Sequence, residues 1–268
     1  VQRALLVSDA GVAAAGLLGR VQEALSGRVV ATFCETPADS GVEAVEAARD
    51  MAVAAKADGV VSCGGGSVID TAKAVALLLT EGGALRDHEG FQNMSGPAAP
   101  HLAIPTTAGT GSEVTYVAVI KDRAVGRKLL FGDHRLVPGA AILDPCLTVG
   151  LPTFLTAATG MDALSHAVEA MHALERQPWS DALAVRAIRM IHEALPVCIA
   201  TPGNVAARGR QMLASCMAGA AFSNAQVGLC HAMAHTIGAR FDVHHGLANA
   251  IFLPHVIRFN APDCMDVY

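Results

Sequence analysis

Aromatic residues make up only 4% of the 268-residue chain and charged residues only 16%. A core so short of rings has to rely on close approach of neighbouring elements, and 52% hydrophobic residues supply enough material for a large one. The longest apolar runs are interrupted well before about 18 residues, so no membrane span is expected. No Lys/Arg stripe occurs and the formal net charge is -5, which argues against a nucleic-acid surface. There is no C-x-x-C pair. Seven dispersed cysteines, an odd number, fit reduced thiols in a cytosolic protein better than a disulfide framework. Val1-Gln2-Arg3 leads directly into a strand-like run, so no signal peptide is expected and the location expected is cytoplasmic.

What is present is an alternation. Arg3 to Val7 reads as a strand, followed by one helix carrying Leu17, Leu18, Val21 and Leu25 and ending at Gly27. Arg28 to Phe33 is a second strand, and Ser40 is a candidate N-cap for the helix after it. Gly59 to Cys63 reads as a buried parallel strand that runs into Gly64-Gly65-Gly66-Ser67 and then a helix from Val68 to Leu79. His101 to Pro105 is another strand, and Val114 to Ile120, Lys128 to Phe131 and Ala140 to Leu143 close this half. The pattern predicts an α/β domain with a doubly wound, mainly parallel sheet over residues 1–152. From Leu151 onward helices are expected at about Thr159 to Leu174, Ser180 to Leu195, Val205 to Phe222 and Gly228 to Gly238, with Thr156 or Thr159 as a cap. Together they make an all-α domain over residues 153–268. That half looks too small to wrap its own core, so the chain is expected to be a piece of a longer protein.

Two loops follow strands. The glycines of Gly64-Gly65-Gly66-Ser67 would let a phosphate approach a helix N-terminus, with Ser67 as cap or phosphate ligand; a plain tight turn is the alternative. Asp70 is near enough to hold that loop by hydrogen bonds, and Lys73, three residues on, reads best as its surface ion-pair partner. Thr106 to Ser112 packs three threonines, two glycines and a serine into seven positions, a density that suits cofactor phosphates or ribose. Glu35 and Asp39 are both candidates for bonding ribose hydroxyls.

A second set of residues lies in the helical half. Asp162 and His166 are four apart, and so are His231 and His235, which puts each pair on one helix face. A carboxylate and several imidazoles on apolar helices form a candidate divalent-metal site, with scattered core histidines as the bland alternative. His244 reads as a solvent-facing neighbour of His245, His255 as a packed core histidine, and Cys230 as a small buried hydrophobe.

Five blocks in order resemble the iron-containing (group III) alcohol dehydrogenases. They are Gly64-Gly65-Gly66-Ser67 with Asp70 and Lys73; Pro105 to Thr115; Gly160-Met161-Asp162-Ala163-Leu164-Ser165-His166-Ala167-Val168-Glu169-Ala170; Gly228 to His235; and His245-Gly246-Leu247-Ala248-Asn249-Ala250 with Leu253-Pro254-His255-Val256. The resemblance implies a dehydroquinate synthase-like fold, with a nucleotide-binding α/β domain and a helical metal domain. It implies that Asp162, His166, His231 and His245 hold a divalent metal, Fe²⁺ first and Zn²⁺ as the alternative. By the same resemblance Gly65, Gly66, Ser67, Asp70, Thr106, Thr107, Thr110, Ser112, Lys128 and Leu147 serve the cofactor site. NAD is the first expectation and NADP the alternative, because the turn Phe33-Cys34-Glu35-Thr36-Pro37 departs from the family's pattern. The activity implied is hydride transfer between NAD(P) and a small alcohol or aldehyde in a homodimer or larger homo-oligomer, with His235 relaying a proton. Alternatives are a hydroxyacid–oxoacid transhydrogenase, a maleylacetate reductase or a cyclising lyase of the same fold, and a non-catalytic metal-binding fragment.

Overall fold

The structure is a computed structural model that describes residues 1–268. The chain divides into two compact units, one made of Val1–Thr106 with Ser112–Leu147, the other of Thr107–Gly111 with Thr148–Tyr268. No helix is long and apolar enough to cross a membrane.

The first unit contains, in chain order, β1 (Ala4–Val7), α1 (Ala10–Ala14), α2 (Leu17–Ala24), β2 (Val29–Phe33), α3 (Val42–Ala54), β3 (Gly59–Gly64), α4 (Gly66–Glu81), β4 (Gly90–Phe91), β5 (His101–Pro105), β6 (Val117–Asp122), β7 (Arg127–Gly132) and β8 (Ala140–Ala141). Five strands pair in parallel in the order β2-β1-β3-β5-β8. Strand alternation sends Leu5 and Val7 into one apolar cluster with Val42, Val45, Val68 and Val75 of α3 and α4, and Ala4 and Leu6 into another with Val12, Leu18 and Val21 of α1 and α2. Both faces are therefore covered, which is why all six residues of β3 are buried. A smaller sheet, β4-β7-β6, is completed by the antiparallel β6–β7 pair.

Two local expectations fail here for backbone reasons. The single helix expected before Gly27 is divided, because Gly16 adopts φ 73°, a left-handed conformation that ends α1 and precedes α2. Ser40 does not cap α3. Gly41 holds the N-cap position, and the Ser40 hydroxyl lies 2.5 Å from that of Thr71 on α4.

The second unit consists of α5 (Thr153–His172), α6 (Pro178–Ala200), α7 (Val205–Ala225), α8 (Leu229–Phe241) and α9 (His245–Cys264). Its interior is largely alanine: Ala163, Ala167, Ala170, Ala184, Ala187, Ala214, Ala218 and Ala221 are all fully buried. Side chains this small let helix backbones come close, as the shortage of rings requires. Thr156 and Thr159 are not caps; both lie inside α5 and donate to the carbonyls of Leu151 and Leu155, at 3.3 and 2.7 Å, while Pro152 takes the N-cap position. Helix α9 was not anticipated at all, and it carries Pro254 and Pro262 within its length.

Candidate metal centre and nucleotide loops

In the first unit, β3 ends at Gly64 and α4 begins at Gly66, with Gly65 at the N-cap and no side chain bonded to that helix end. Ser67 therefore does not act as a cap. A helix start left open in this way is suited to an anion, since its first N–H groups lack acceptors within the helix. The neighbouring loop is tied in by Thr106 N–H, which donates to Gly64 O at 3.0 Å. Thr106 is buried, and Thr107 and Thr110 are half-buried. Lys128 donates to Asp39 Oδ1 at 2.8 Å, so Asp39 already has a cationic partner, while Glu35 is exposed just beyond β2. Leu147 is buried in the apolar cluster that contains Val61 and Ile104.

Lys73 is not on the surface. Its side chain is 0% exposed, and its ammonium donates to Ser112 Oγ (2.9 Å), Thr115 Oγ1 (3.0 Å) and Val117 O (2.9 Å). Burial lowers its pKa to about 8. Asp70 accepts from Ser112 Oγ at 2.5 Å and from Val119 N at 3.0 Å, so it holds the exit of the threonine loop and not the glycine turn itself. Burial pushes its carboxyl up, and it pushes that of nearby Glu113 up to about 7.

The second unit gathers the four expected ligands. Helical spacing puts Asp162 and His166 on one face of α5. His231 comes from the first turn of α8, and His245 opens α9. Asp162 Oδ1 lies 3.9 Å from His231 Nε2 and 3.6 Å from His245 Nε2, and Asp162 Oδ2 lies 3.9 Å from His166 Nδ1. Gly246 makes this approach possible: a Cβ there would sit 2.2 Å from the Ala158 carbonyl oxygen, so any larger residue would lift α9 off α5.

Two residues that the sequence reading did not assign complete the centre. Glu169 is fully buried on α5 and its Oε2 is 2.5 Å from His231 Nδ1. The same carboxylate accepts from the backbone N–H of Cys230 (2.7 Å) and His231 (3.3 Å), capping a helix start that Gly228 leaves bare. Asp162, His166 and Glu169 follow the i, i+4, i+7 rhythm of one helix face, which was the available signal. Asn249, four residues after His245, points its Nδ2 at Asp162 Oδ1 (2.8 Å), His231 Nε2 (3.1 Å) and His245 Nε2 (3.2 Å). The Cys230 sulfur lies 3.5 Å from the Asn249 Oδ1. Burial raises the Cys230 thiol to about 12.

Electrostatics favour an ionised carboxylate at Asp162. Burial pushes the Asp162 carboxyl up, but His166, His245, His231 and the Asn249 hydrogen bond outweigh it and hold it at about 2. Burial, with His166 and His245 close by, holds His231 well below its ordinary value. The donor set fits a small divalent ion. Ligand atoms of Asp162, His166 and His231 lie within 4.8 Å of one another, and a tetrahedral ion with bonds of about 2.1 Å spaces its donors about 3.4 Å apart. His166 Nδ1 is buried without a hydrogen-bond partner, as an atom kept for a metal would be. One oxygen and three nitrogens suit Fe²⁺ or Zn²⁺.

The remaining histidines separate clearly. His235 stacks on the His245 ring at 4.7 Å between centroids, beside the ligand set. His244 is half-buried at the N-cap of α9, with its ring edge-on to Phe154 at 5.4 Å. His255, expected in the core, is exposed on α9.

Comparison with known proteins agrees with this geometry. Residues 1–145 match the model of the iron-containing alcohol dehydrogenases, and residues 156–268 match that of the C-terminal domain of the Fe-containing alcohol dehydrogenase family. The probable alcohol dehydrogenase EutG of Escherichia coli (strain K12) is 51% identical over 209 residues, covering 78% of this chain and 53% of the relative. The NAD-dependent methanol dehydrogenase of Bacillus methanolicus is 41% identical over 261 residues, 97% of this chain and 68% of that one. The crystal structure of a 1,3-propanediol oxidoreductase superposes with a TM-score of 0.94 at 38% identity, over 97% of this chain and 69% of that one. The chain thus spans about half the length of the EutG relative and about two thirds of the other two. With both halves matched in order, the chain belongs to the iron-containing alcohol dehydrogenase family.

Proposed function

We propose that this chain carries the cofactor and metal machinery of an NAD-dependent dehydrogenase acting on short-chain alcohols and aldehydes. The observation that carries the reading is the convergence of Asp162, His166, His231 and His245 from three helices, with Glu169 holding His231 from behind. These four residues would hold Fe²⁺, or Zn²⁺ in its place. The bound ion would supply Lewis acidity toward the oxygen of the alcohol or aldehyde.

The chain's own groups do the rest. Asp162 supplies the negative charge of the ligand set, which favours a divalent cation over an empty cluster of imidazoles. Glu169 keeps His231 in the tautomer that presents Nε2 to the ion. The bare N-terminus of α4 and the loop from Thr106 to Ser112, with Gly65, Gly66, Ser67, Thr107, Thr110, Lys128 and Leu147, receive the dinucleotide. A nicotinamide bound there would supply the hydride chemistry. His235, a turn beyond His231 and stacked on His245, relays the proton released from the alcohol. The methanol dehydrogenase and 1,3-propanediol oxidoreductase among the relatives support a small, uncharged alcohol as the kind of substrate. Seven cysteines outside any disulfide support a reducing, cytoplasmic setting. Exposed Phe241, Ile251 and Phe259 on α8 and α9 support further packing in a homo-oligomer.

The test is spectroscopic. Protein loaded with Fe²⁺ or Zn²⁺ is mixed with NAD⁺ and methanol, ethanol or 1,3-propanediol while nicotinamide absorbance is followed. Metal-dependent NADH formation is expected. A metal-loaded protein that turns over no small alcohol with either NAD⁺ or NADP⁺ would reject the dehydrogenase reading.

A further inference from the structure

The free edge of β6 is built in an unusual way. As a strand β6 pairs with β7, and on its other edge Lys121 is bridged to Gly41, so Val117 and Val119 have backbone groups there without a strand partner. Two of these groups are taken by side chains of α4. Val117 O accepts from Lys73 Nζ at 2.9 Å, and Val119 N donates to Asp70 Oδ2 at 3.0 Å. Two residues further, Lys121 N donates to Ser40 O at 2.7 Å. A lysine and an aspartate three apart on a helix thus stand in for the donor and acceptor of a missing strand.

A fully buried ammonium is costly, and this one has no carboxylate closer than Asp70 Oδ1 at 4.0 Å. An apolar side chain would fill the same volume without that cost. What the ammonium provides is three N–H donors, each with its own acceptor: Ser112 Oγ, Thr115 Oγ1 and Val117 O. Ser112 belongs to both partners, since its Oγ accepts from Lys73 and donates to Asp70. The segment from Ser112 to Val119 is therefore gripped at four points by one helix, the helix that begins at the glycine turn. The root of the threonine loop at its other end is fixed by Thr106 N to Gly64 O.

We propose that Lys73 and Asp70 are positioning residues for the dinucleotide, setting the spacing between the glycine turn at Gly64–Gly66 and the two roots of the loop at Thr106 and Ser112. The proposal rests on the reading above that these loops receive NAD. It assigns the pair a role in nucleotide affinity, separate from metal binding and from the chemical step.

The test uses the full chain loaded with metal. Lys73→Met keeps the stem and removes the three donors. NAD⁺ affinity is measured by titration calorimetry, and KM for NAD⁺, KM for the alcohol, kcat and metal content are measured alongside. The expected result is NAD⁺ binding weaker by about tenfold, as three buried acceptors lose their donor, with a matching rise in KM for NAD⁺. Metal content and KM for the alcohol should stay unchanged. Lys73→Arg, which keeps donors, should recover part of the affinity. Should Lys73→Met fail to fold, Thr115→Val removes a single acceptor outside the loop and should weaken NAD⁺ binding by a few-fold. A folded Lys73→Met protein that binds NAD⁺ within about twofold of wild type would overturn the proposal, as would equal losses for NAD⁺ and alcohol. If the wild-type protein itself binds no dinucleotide, the reading of the loops is what fails.

Discussion

Consider the replacement of Glu169 by glutamine, which keeps the side-chain volume and removes one acceptor. In the wild-type protein two carboxylate oxygens serve three donors: Cys230 N at 2.7 Å, His231 N at 3.3 Å and His231 Nδ1 at 2.5 Å. A glutamine has one oxygen and an NH₂ group. If the oxygen stays on His231, the NH₂ faces the Cys230 N–H, and a buried donor at the start of α8 goes unsatisfied at a cost of about 1–3 kcal/mol. If the amide turns over, the imidazole of His231 loses the partner that fixes its tautomer and orientation. Removing such a partner behind a metal-bound histidine typically weakens the metal about 10–100-fold, or about 1.4–2.7 kcal/mol. The assay is competition between the metal-free protein and a chromophoric chelator for Zn²⁺ or Co²⁺, with far-UV ellipticity as the control for folding. Glu169→Gln should be weaker than wild type by that factor with its helix content unchanged. Affinity within about threefold of wild type would refute the claim that this carboxylate holds His231 for the ion.

Three further expectations follow from the geometry. Glu113→Gln should change the pH dependence of stability. The folded carboxyl titrates at about 7 against 4.5 when unperturbed, so the folded state holds its proton more tightly, and stability from this group falls as pH rises from 4.5 through 7. The wild-type-minus-variant difference in unfolding free energy should therefore drop by roughly 2–3 kcal/mol between pH 5 and pH 8; urea unfolding at the two values measures it, and a pH-independent difference would contradict the burial argument. Gly246→Ala should cost about 1–3 kcal/mol or more, because its Cβ would meet the Ala158 carbonyl oxygen at 2.2 Å, and the variant should also hold metal less tightly in the same chelator competition. His235→Ala should keep its metal content but lose alcohol-oxidation rate in the pH range where a neutral imidazole can accept the proton, and an unchanged pH–rate profile would remove the proton-relay role.

Much of the first unit could be read from the chain because buried parallel strands and glycine turns leave local marks. Gly59 to Cys63 is apolar at nearly every position, and the glycines after it mark a turn into a helix. The Asp162/His166 and His231/His235 spacings could be read for the same reason, since four-residue spacing on a helix is a local property. What failed depended on neighbours distant in sequence. Lys73 reads as a surface residue because its i–3 partner is an aspartate. The apolar run on both sides of it, Val68-Ile69 and Ala74-Val75-Ala76-Leu77-Leu78, was the better guide, as those residues are buried all round the helix. Helix α9 was hidden by Pro254 and Pro262. Glu169 and Asn249 could be valued only once α8 and α9 had been laid against α5. His255 was assigned to the core on residue type alone, and the turn of α9 puts it outside.

The four donors, Glu169 and Asn249 all belong to the helical unit, and none comes from the sheet. They are scattered from α5 to α9, so an unfolded chain offers an ion no comparable site. Metal binding is therefore linked thermodynamically to the folding of α5–α9 and adds to the stability of that half by mass action, while the sheet gains nothing directly. The chain's single tryptophan, Trp179, stands at the start of α6 within the same half. Its fluorescence is thus a built-in reporter of the helical half of the molecule.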